Sequence, residues 1–323
     1  LSPLNGLTHI TRNLVIAGTT LTDINGLTGL ISIGNVLQIG GENAPENPQL
    51  QNINGFNNLT SLGGGLVIIK NPSLTSITGF NALVQVGGAF DVRQNANLTT
   101  IEGLNNLAII GGYTYINDTK AASIAGFSNL QSIGSFLILD NNANLINTAF
   151  LNNLTSTGGG VGIRNNAQLQ NLNGLSNLTS VGSKVLLILN NTVLSDISAL
   201  QNVNPATISE QGLIIQNNPA LAVCNLPNFC TYLANEAITH PRIISGNLAN
   251  CLDEAAVIAA CSLSACPPGN VVIATQAQAD QFIIAYPNCT QIDGYLAIGN
   301  EVTNLNALSN IITITGSLDA GNA

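Results

Sequence analysis

Asn54 to Ile77 reads NGFNNLTSLGGGLVIIKNPSLTSI, and Thr78 to Ile101 reads TGFNALVQVGGAFDVRQNANLTTI. Set beneath one another, the two keep leucine, glycine, asparagine and isoleucine in the same columns. Asn173 to Ile197 is a third clear copy, and the pattern recurs about nine times between Leu4 and Cys224 with a period of about 24 residues. Self-similarity at such a period marks a solenoid, in which each copy buries its apolar face only against its neighbours.

Within one copy the apolar residues recur too closely for a helix and are broken by glycine, so the copy predicts short strands joined by corners. The first strand ends in L-T-S-[IL]. The second is Leu66-x-Ile68, Phe90-x-Val92, Leu137-x-Leu139 and Val161-x-Ile163, with alternate side chains turned inward. The third is Leu74 to Ile77, Leu98 to Ile101 and Leu194 to Ile197. Gly87-Gly88, Gly111-Gly112, Gly134, Gly158-Gly159 and Gly182 mark one corner, where the backbone needs positive φ or close approach to the coil beneath. At the next corner an asparagine stands three residues before a leucine, at Asn47, Asn71, Asn95, Asn142, Asn166, Asn191 and Asn218. Stacked, these amides form a ladder, each bonding backbone of its own and the next coil. With strands about 4.8 Å apart, nine coils give a rod of roughly 40 Å. The insertion from Gly41 to Glu46 is expected to bulge from the second coil as a loop and contact site.

Composition agrees with an extended array. Of 323 residues, 45% are hydrophobic and only 4% aromatic, with no Met or Trp, so the core is built from Leu, Ile and Val. Only 7% are charged, which leaves Asn, Gln, Ser and Thr to make the surface. A net charge of −9 with seven Lys plus Arg gives no basic footprint for nucleic acid. No run of 18 apolar residues offers a membrane span. The chain opens at Leu1 and closes at Ala323 inside a repeat, so a longer native protein is expected.

These residues resemble the leucine-rich-repeat superfamily, and more closely the receptor L domain, a right-handed β-helix-like fold with short coils. The N-G-L-x-N-L-T-S-I-G-G spacing is similar to that of secreted surface proteins of Bacteroidota. The resemblance covers about two thirds of the chain and implies a mainly β, right-handed β-solenoid over 1–223.

After Leu221 the repeat gives way to a helical pattern carrying Cys224, Cys230, Cys251 and Cys261. Asn225 is expected to cap a helix through about Ala234, and Asn250 with Asp253 a second through about Ala260. If Cys251 and Cys261 bracket one helix they lie roughly 15 Å apart, too far for a disulfide, which leaves two pairings of the four cysteines. Residues 224–265 resemble a leucine-rich-repeat C-terminal cap, and that resemblance implies Cys224 with Cys251 and Cys230 with Cys261. From 266 to 323 the chain resembles the start of another L domain. Val271-Val272-Ile273 reads as a strand, Thr275-Gln276-Ala277-Gln278 opens a helix through about Tyr286 that Pro287 ends, and I-x-G-x-L-x-I runs from Ile292. The same resemblance implies a Cys266–Cys289 bond. Six cysteines without Cys-x-x-Cys spacing point to structural bridges and an extracellular compartment, not to zinc.

Catalytic motifs are missing: there is no Gly-x-Ser-x-Gly elbow, P-loop or His-Glu-x-x-His. His9 and His240 have no evident nucleophile or metal partner, and Pro241 breaks the helical spacing of Glu236 with His240. Asp140 to Asn144 begins like a calcium loop but lacks the sixth-position Gly and twelfth-position Glu, so the ladder accounts for it better. Lys70, Arg93 and Arg164 form a sparse basic row, read as solvation. Thr75 and Thr99 share their column with Gln51, Gln170 and Ser195, too mixed for an ice-binding lattice. Sequons at Asn58, Asn97, Asn117, Asn153, Asn177, Asn190 and Asn288 mostly coincide with the repeat's own N-L-T. The expectation is a non-enzymatic secreted or cell-surface protein for structure or adhesion, assembling in a layer, sheath or filament. The alternative is a receptor module that binds peptide or glycan on one solenoid face. Expected partners are copies of itself, other extracellular proteins or glycans, with no nucleic acid and no cofactor; a β-helix hydrolase or lyase is weakest because the sixteen acids are scattered.

Overall fold

The computed structural model describes residues 4–41, 44–182, 184–262, 266–267, 269–286 and 289–321. Glu42 and Asn43 of the insertion, Pro287 and the Asn288 sequon lie outside them. The protein is mainly β, with three α-helices among the described residues, α1 (Pro227–Ala234), α2 (Glu254–Ser262) and α3 (Gln276–Ala285). Three disulfides join Cys224 to Cys251, Cys230 to Cys261 and Cys266 to Cys289, with Cα atoms 5.1, 5.6 and 4.6 Å apart.

Among the described residues the strands pair in parallel, apart from an antiparallel bridge of Ser245 to Asp253, and successive copies of the repeat pair in register: Leu66 lies beside Phe90, Phe90 beside Thr114, Thr114 beside Leu137. One element of the earlier copies enters a seven-stranded sheet from His9–Ile10 to Ser156–Thr157, which Ser180 of the next copy reaches only by a bridge, and a second enters a ten-stranded sheet from Leu14–Ile16 to Arg242–Ser245. Alternation sets the faces. Phe90, Val92, Ile116, Leu137 and Leu139 point into one apolar core that runs from Ile16 to Val257, while their strand neighbours point out. A separate core from Val271 to Leu308 belongs to the segment after Cys266.

The third element of the copy is weaker than the sequence suggests. Asn52–Ile53, Ser76–Ile77 and Thr100–Ile101 make a three-stranded sheet, but Leu194 to Ile197 contributes only the bridge Asn171 to Asp196. There the chain turns straight into 3-10 helices at Asn173–Leu175 and Ser198–Asn202, which leave no length for a ladder.

Both helix caps expected in the 224–265 segment are corrected. Asn225 is 2% exposed and donates to Ala260 O at 3.4 Å; α1 begins instead after Leu226, with Pro227 at its first position and no side-chain cap. Asp253, not Asn250, caps α2, its Oδ1 accepting from Ala256 N at 2.7 Å, because Asn250 is held in the 3-10 turn Ala249–Cys251. This segment is also not purely helical, since Arg242–Ser245 is the tenth strand of the large sheet. By contrast Thr275 and Gln278 do form the reciprocal capping box at the start of α3.

The glycine corner works by close approach. A Cβ on Gly87, Gly111, Gly134 or Gly158 would lie 2.1 to 2.3 Å from the carbonyl oxygen of the glycine one layer earlier. None of these four has positive φ; Gly182 does, at 62°. At the opposite corner the seven asparagines are at most 1% exposed and bond layer to layer. Asn166 shows the pattern: Nδ2 donates to Leu139 O of the preceding layer (3.0 Å) and to Arg164 O of its own (2.9 Å). Its Oδ1 accepts from Asn142 N at 3.0 Å. The backbone bonds thus reach the amide's own layer and the preceding one, and the same Nδ2 also lies 3.3 Å from Asn191 Oδ1 of the next layer.

Removing one rung strands several buried backbone groups, at about 1–3 kcal/mol each. Asn166→Ala is therefore expected to lower unfolding free energy by about 3–5 kcal/mol in urea titrations. Asn177→Ala, whose exposed amide donates only to Asn152 O, should cost about 0.5 kcal/mol. Gly111→Ala, which places Cβ 2.3 Å from Gly87 O, should cost about 3 kcal/mol or more, read as a lower thermal midpoint.

Candidate functional site

The buried ladder is longer than the N-x-x-L pattern reveals. Thr19 starts it, bonding Asn47 Oδ1 through its backbone N (3.1 Å) and hydroxyl (2.9 Å). Thr119 fills the gap between Asn95 and Asn142, its hydroxyl donating to Asn142 Oδ1 at 2.8 Å. Asn247 ends it, accepting from Asn218 N at 2.9 Å and donating to Ile215 O at 2.8 Å. Just before the rungs the backbone is left-handed, at Gly18, Lys70, Gln94, Asp118, Asn141, Asn165, Asn190, Asn217 and Gly246. The rung amides are spent on backbone and on one another, so they hold structure and offer nothing to a ligand.

The charged residues the repeat does not explain gather elsewhere. Asp91 and Arg93 project from the outer side of strand Phe90–Arg93, because Phe90 and Val92 are committed to the core. Register then places Tyr115 beside Asp91, Ile138 beside Tyr115, and Gly162 beside Ile138. In the column two residues on, Arg93, Asn117, Asp140 and Arg164 follow one another in consecutive layers. Arg93 Nε lies 2.6 Å from Asp91 Oδ1, and Arg164 Nε lies 2.9 Å from Asp140 Oδ2. Tyr113 OH donates to Asp91 Oδ2 at 2.9 Å and Tyr115 OH to Asp140 Oδ2 at 3.3 Å, while the Arg93 guanidinium stacks 5.3 Å above the Tyr115 ring. Asn165 Nδ2 donates to Asp140 Oδ1 at 2.8 Å, and from it a second, exposed amide row continues through Asn190 to Asn217.

The basic row thus resolves into ion pairs. Arg93 and Arg164 share a column two layers of other residues apart, but Lys70 falls outside it, since Ile69 is the residue in register with Arg93. Asp140 is committed to Arg164 and Asn165. Among the described residues no group of three His, Cys, Asp or Glu could hold a metal ion. His9 Nδ1 lies 2.8 Å from Ser32 Oγ on the exposed edge of the seven-stranded sheet, and His240 lies beyond the end of α1. The clefts are poor in ionisable groups, and one of about 440 Å³ beside Cys230 and Cys261 is lined by none that titrates. One of about 330 Å³ beside Asn225 and Ile283 has Asp196 as its single acid, and one of similar volume along α3 has only the Tyr286 phenol.

Among the described residues no helix packs on the cluster: α1 packs on α2 and nearby 3-10 turns, α2 against Arg242–Ser245, and α3 against Val271–Thr275. Among the described residues no helix is long and apolar enough to cross a membrane. The chain matches no protein-family model, no curated protein and no solved structure.

Burial raises the Tyr115 phenol above its ordinary value of 10.0; hydrogen bonding to Arg164 lowers it and the Asp140 charge raises it. For Arg164, burial opposes the charge, but Asp140 and the bonds to Asp140 and Tyr115 outweigh it and hold the guanidinium above its usual range. A phenol raised in the folded state contributes stability in full below its unfolded pKa and loses it as pH rises through the folded one. Urea titrations from neutral pH to above pH 10 should accordingly show stability falling in the alkaline limb, with a shallower fall in Tyr115→Phe.

Proposed function

We propose that this chain is a non-enzymatic, secreted or cell-surface adhesion protein. It is read as a right-handed β-solenoid of the leucine-rich-repeat, receptor L domain kind, closed by disulfide-bonded caps. Its working surface is the outer face of the ten-stranded sheet. The observation that carries this reading is the convergence of Tyr113, Tyr115, Asp91, Arg93, Asp140 and Arg164 there, in a chain with five Tyr and 7% charge. Rigid aromatic and guanidinium groups on a fixed backbone lose little freedom on binding, which is what recognition surfaces select. Three disulfides support an oxidising compartment, where such bonds persist. The resemblance of the repeat to secreted surface arrays supports the same placement.

Self-association into a layer, sheath or filament is the second reading. Ile109 on the seven-stranded sheet and Ile31 and Val84 just before its strands Ser32–Ile33 and Gln85–Val86 favour it, being 45, 40 and 50% exposed where lateral packing of copies would cover them. Purified chain coated on beads should retain cells or envelope fragments, and Tyr115→Ala with Arg164→Ala should reduce retention roughly tenfold or more. Retention that survives the double variant but is lost in Val84→Asn, with sedimentation showing oligomers that the same change dissolves, would decide for assembly.

A further inference from the structure

We propose that the outer face around Tyr115 binds a neutral polysaccharide of linked pyranose rings, lying along the stacking direction of the layers. The inference rests on the adhesion reading and names its ligand.

Charge is the first argument. The four ionised groups of the cluster form two internal pairs, Asp91 with Arg93 and Asp140 with Arg164, so together they carry no net charge. The chain as a whole carries −9, which repels acidic polymers. A neutral ligand remains, and the patch suits one rich in hydroxyls. A sugar hydroxyl both donates and accepts, and each guanidinium has five N–H donors, more than one carboxylate partner uses. Side-chain exposures of 21% for Arg93 and 37% for Arg164 leave those groups reachable, while Asp91 and Asp140 beneath them hold their orientation.

Shape is the second argument. Tyr113, 37% exposed, Tyr115 and Ile138 present apolar surface of the kind that packs on the C–H faces of a sugar ring. In the same column Gly162 supplies no side chain between Ile138 and Leu187, and a Cβ there would meet only Leu187 Cδ2, at 3.9 Å. The row of outward side chains is therefore interrupted beside the polar cluster. The exposed amides of Asn165, Asn190 and Asn217 recur once per layer, at the roughly 4.8 Å strand spacing. Linked pyranose rings repeat at a closely similar interval, so one ring can meet one layer.

Position is the third. An extended peptide takes its affinity from an open sheet edge. The strands here are interior, each paired on both sides, and their backbone is already spent.

Calorimetry with the whole chain would use neutral β-linked gluco-, manno-, xylo- and N-acetylglucosamine oligosaccharides, with heparin and polygalacturonate as acidic probes. The expected result is saturable binding of a neutral oligosaccharide whose affinity changes less than about twofold on adding salt, since no charge is exchanged. Arg164→Gln and Gly162→Val should each weaken it about tenfold or more. Gly162→Val keeps the fold testable, because a β-branched residue suits a strand and the site has room, and an unchanged thermal midpoint would show it. Binding confined to acidic probes with steep salt dependence, neutral binding indifferent to both variants, or retention of a protein partner at this face would overturn the proposal. If bead retention falls in both variants while no glycan binds, the glycan assignment fails and the adhesive face stands. If retention is indifferent as well, both fail.

Discussion

The structure depends on one contact, the asparagine amide that crosses from one layer to the layer before it. At this corner the strand of the large sheet ends and the chain must turn within two residues, which leaves carbonyls and an N–H pointing inward without sheet partners. The amide answers both needs at once: Asn191 Nδ2 takes Ile163 O at 3.0 Å and its own Leu189 O at 3.2 Å, while its Oδ1 receives Asn166 N at 3.1 Å. The turn it stabilises is not free. Seven non-glycine residues before the rungs have φ between 53° and 58°, a conformation that costs L-residues of order 1 kcal/mol each. Asn and Asp tolerate it best, and Asp118, Asn141, Asn165, Asn190 and Asn217 hold that place in five successive layers.

The opposite corner imposes the complementary restriction. Glycine is required there because its neighbour's carbonyl occupies the position of any Cβ, so the layers can close to hydrogen-bonding distance, as in Gly111 N to Val86 O at 2.8 Å. Asparagine at one corner, glycine at the other and aliphatic residues between them use up most of each copy. Neither corner needs an ionised group, which explains how a chain with so few charges can satisfy the buried backbone of its corners.

This division explains what the sequence could reveal. Leu, Ile, Gly and Asn recur because the layer geometry demands them at fixed places, and the period is visible by alignment alone. Thr19 and Thr119 escaped notice because a hydroxyl supplies only part of what the amide does, and Asn247 because Cys251 stands four residues on and no leucine stands three on. Asn225 and Asn250 misled for another reason. Cap patterns are local, whereas Asn225 is drawn into the core between Cys224 and Leu226, and the 3-10 turn at Ala249 claims Asn250 before the helix starts. The ion pairs were the least legible. Tyr115 and Asp140 are 25 residues apart, and only the strand register makes them neighbours.

The same register shows where function can reside. In each strand the inward positions are fixed by packing, and the outward ones are free, since they touch only the residues one layer away on either side. Elsewhere on the large sheet the outward column is aliphatic apart from Gln38, with Val15, Val67, Leu187, Ile214 and Ile243. From Asp91 to Gly162 it departs from that pattern, with aspartate, tyrosine and glycine around the one aliphatic Ile138, and the column two residues on carries Arg93, Asp140 and Arg164. Stability does not demand the change, because partly exposed ion pairs contribute only about 0–1 kcal/mol and Gly162 weakens a strand. In a fold whose layers are otherwise interchangeable, a block of residues that costs regularity without strengthening the core is the part of the surface shaped by something outside the molecule.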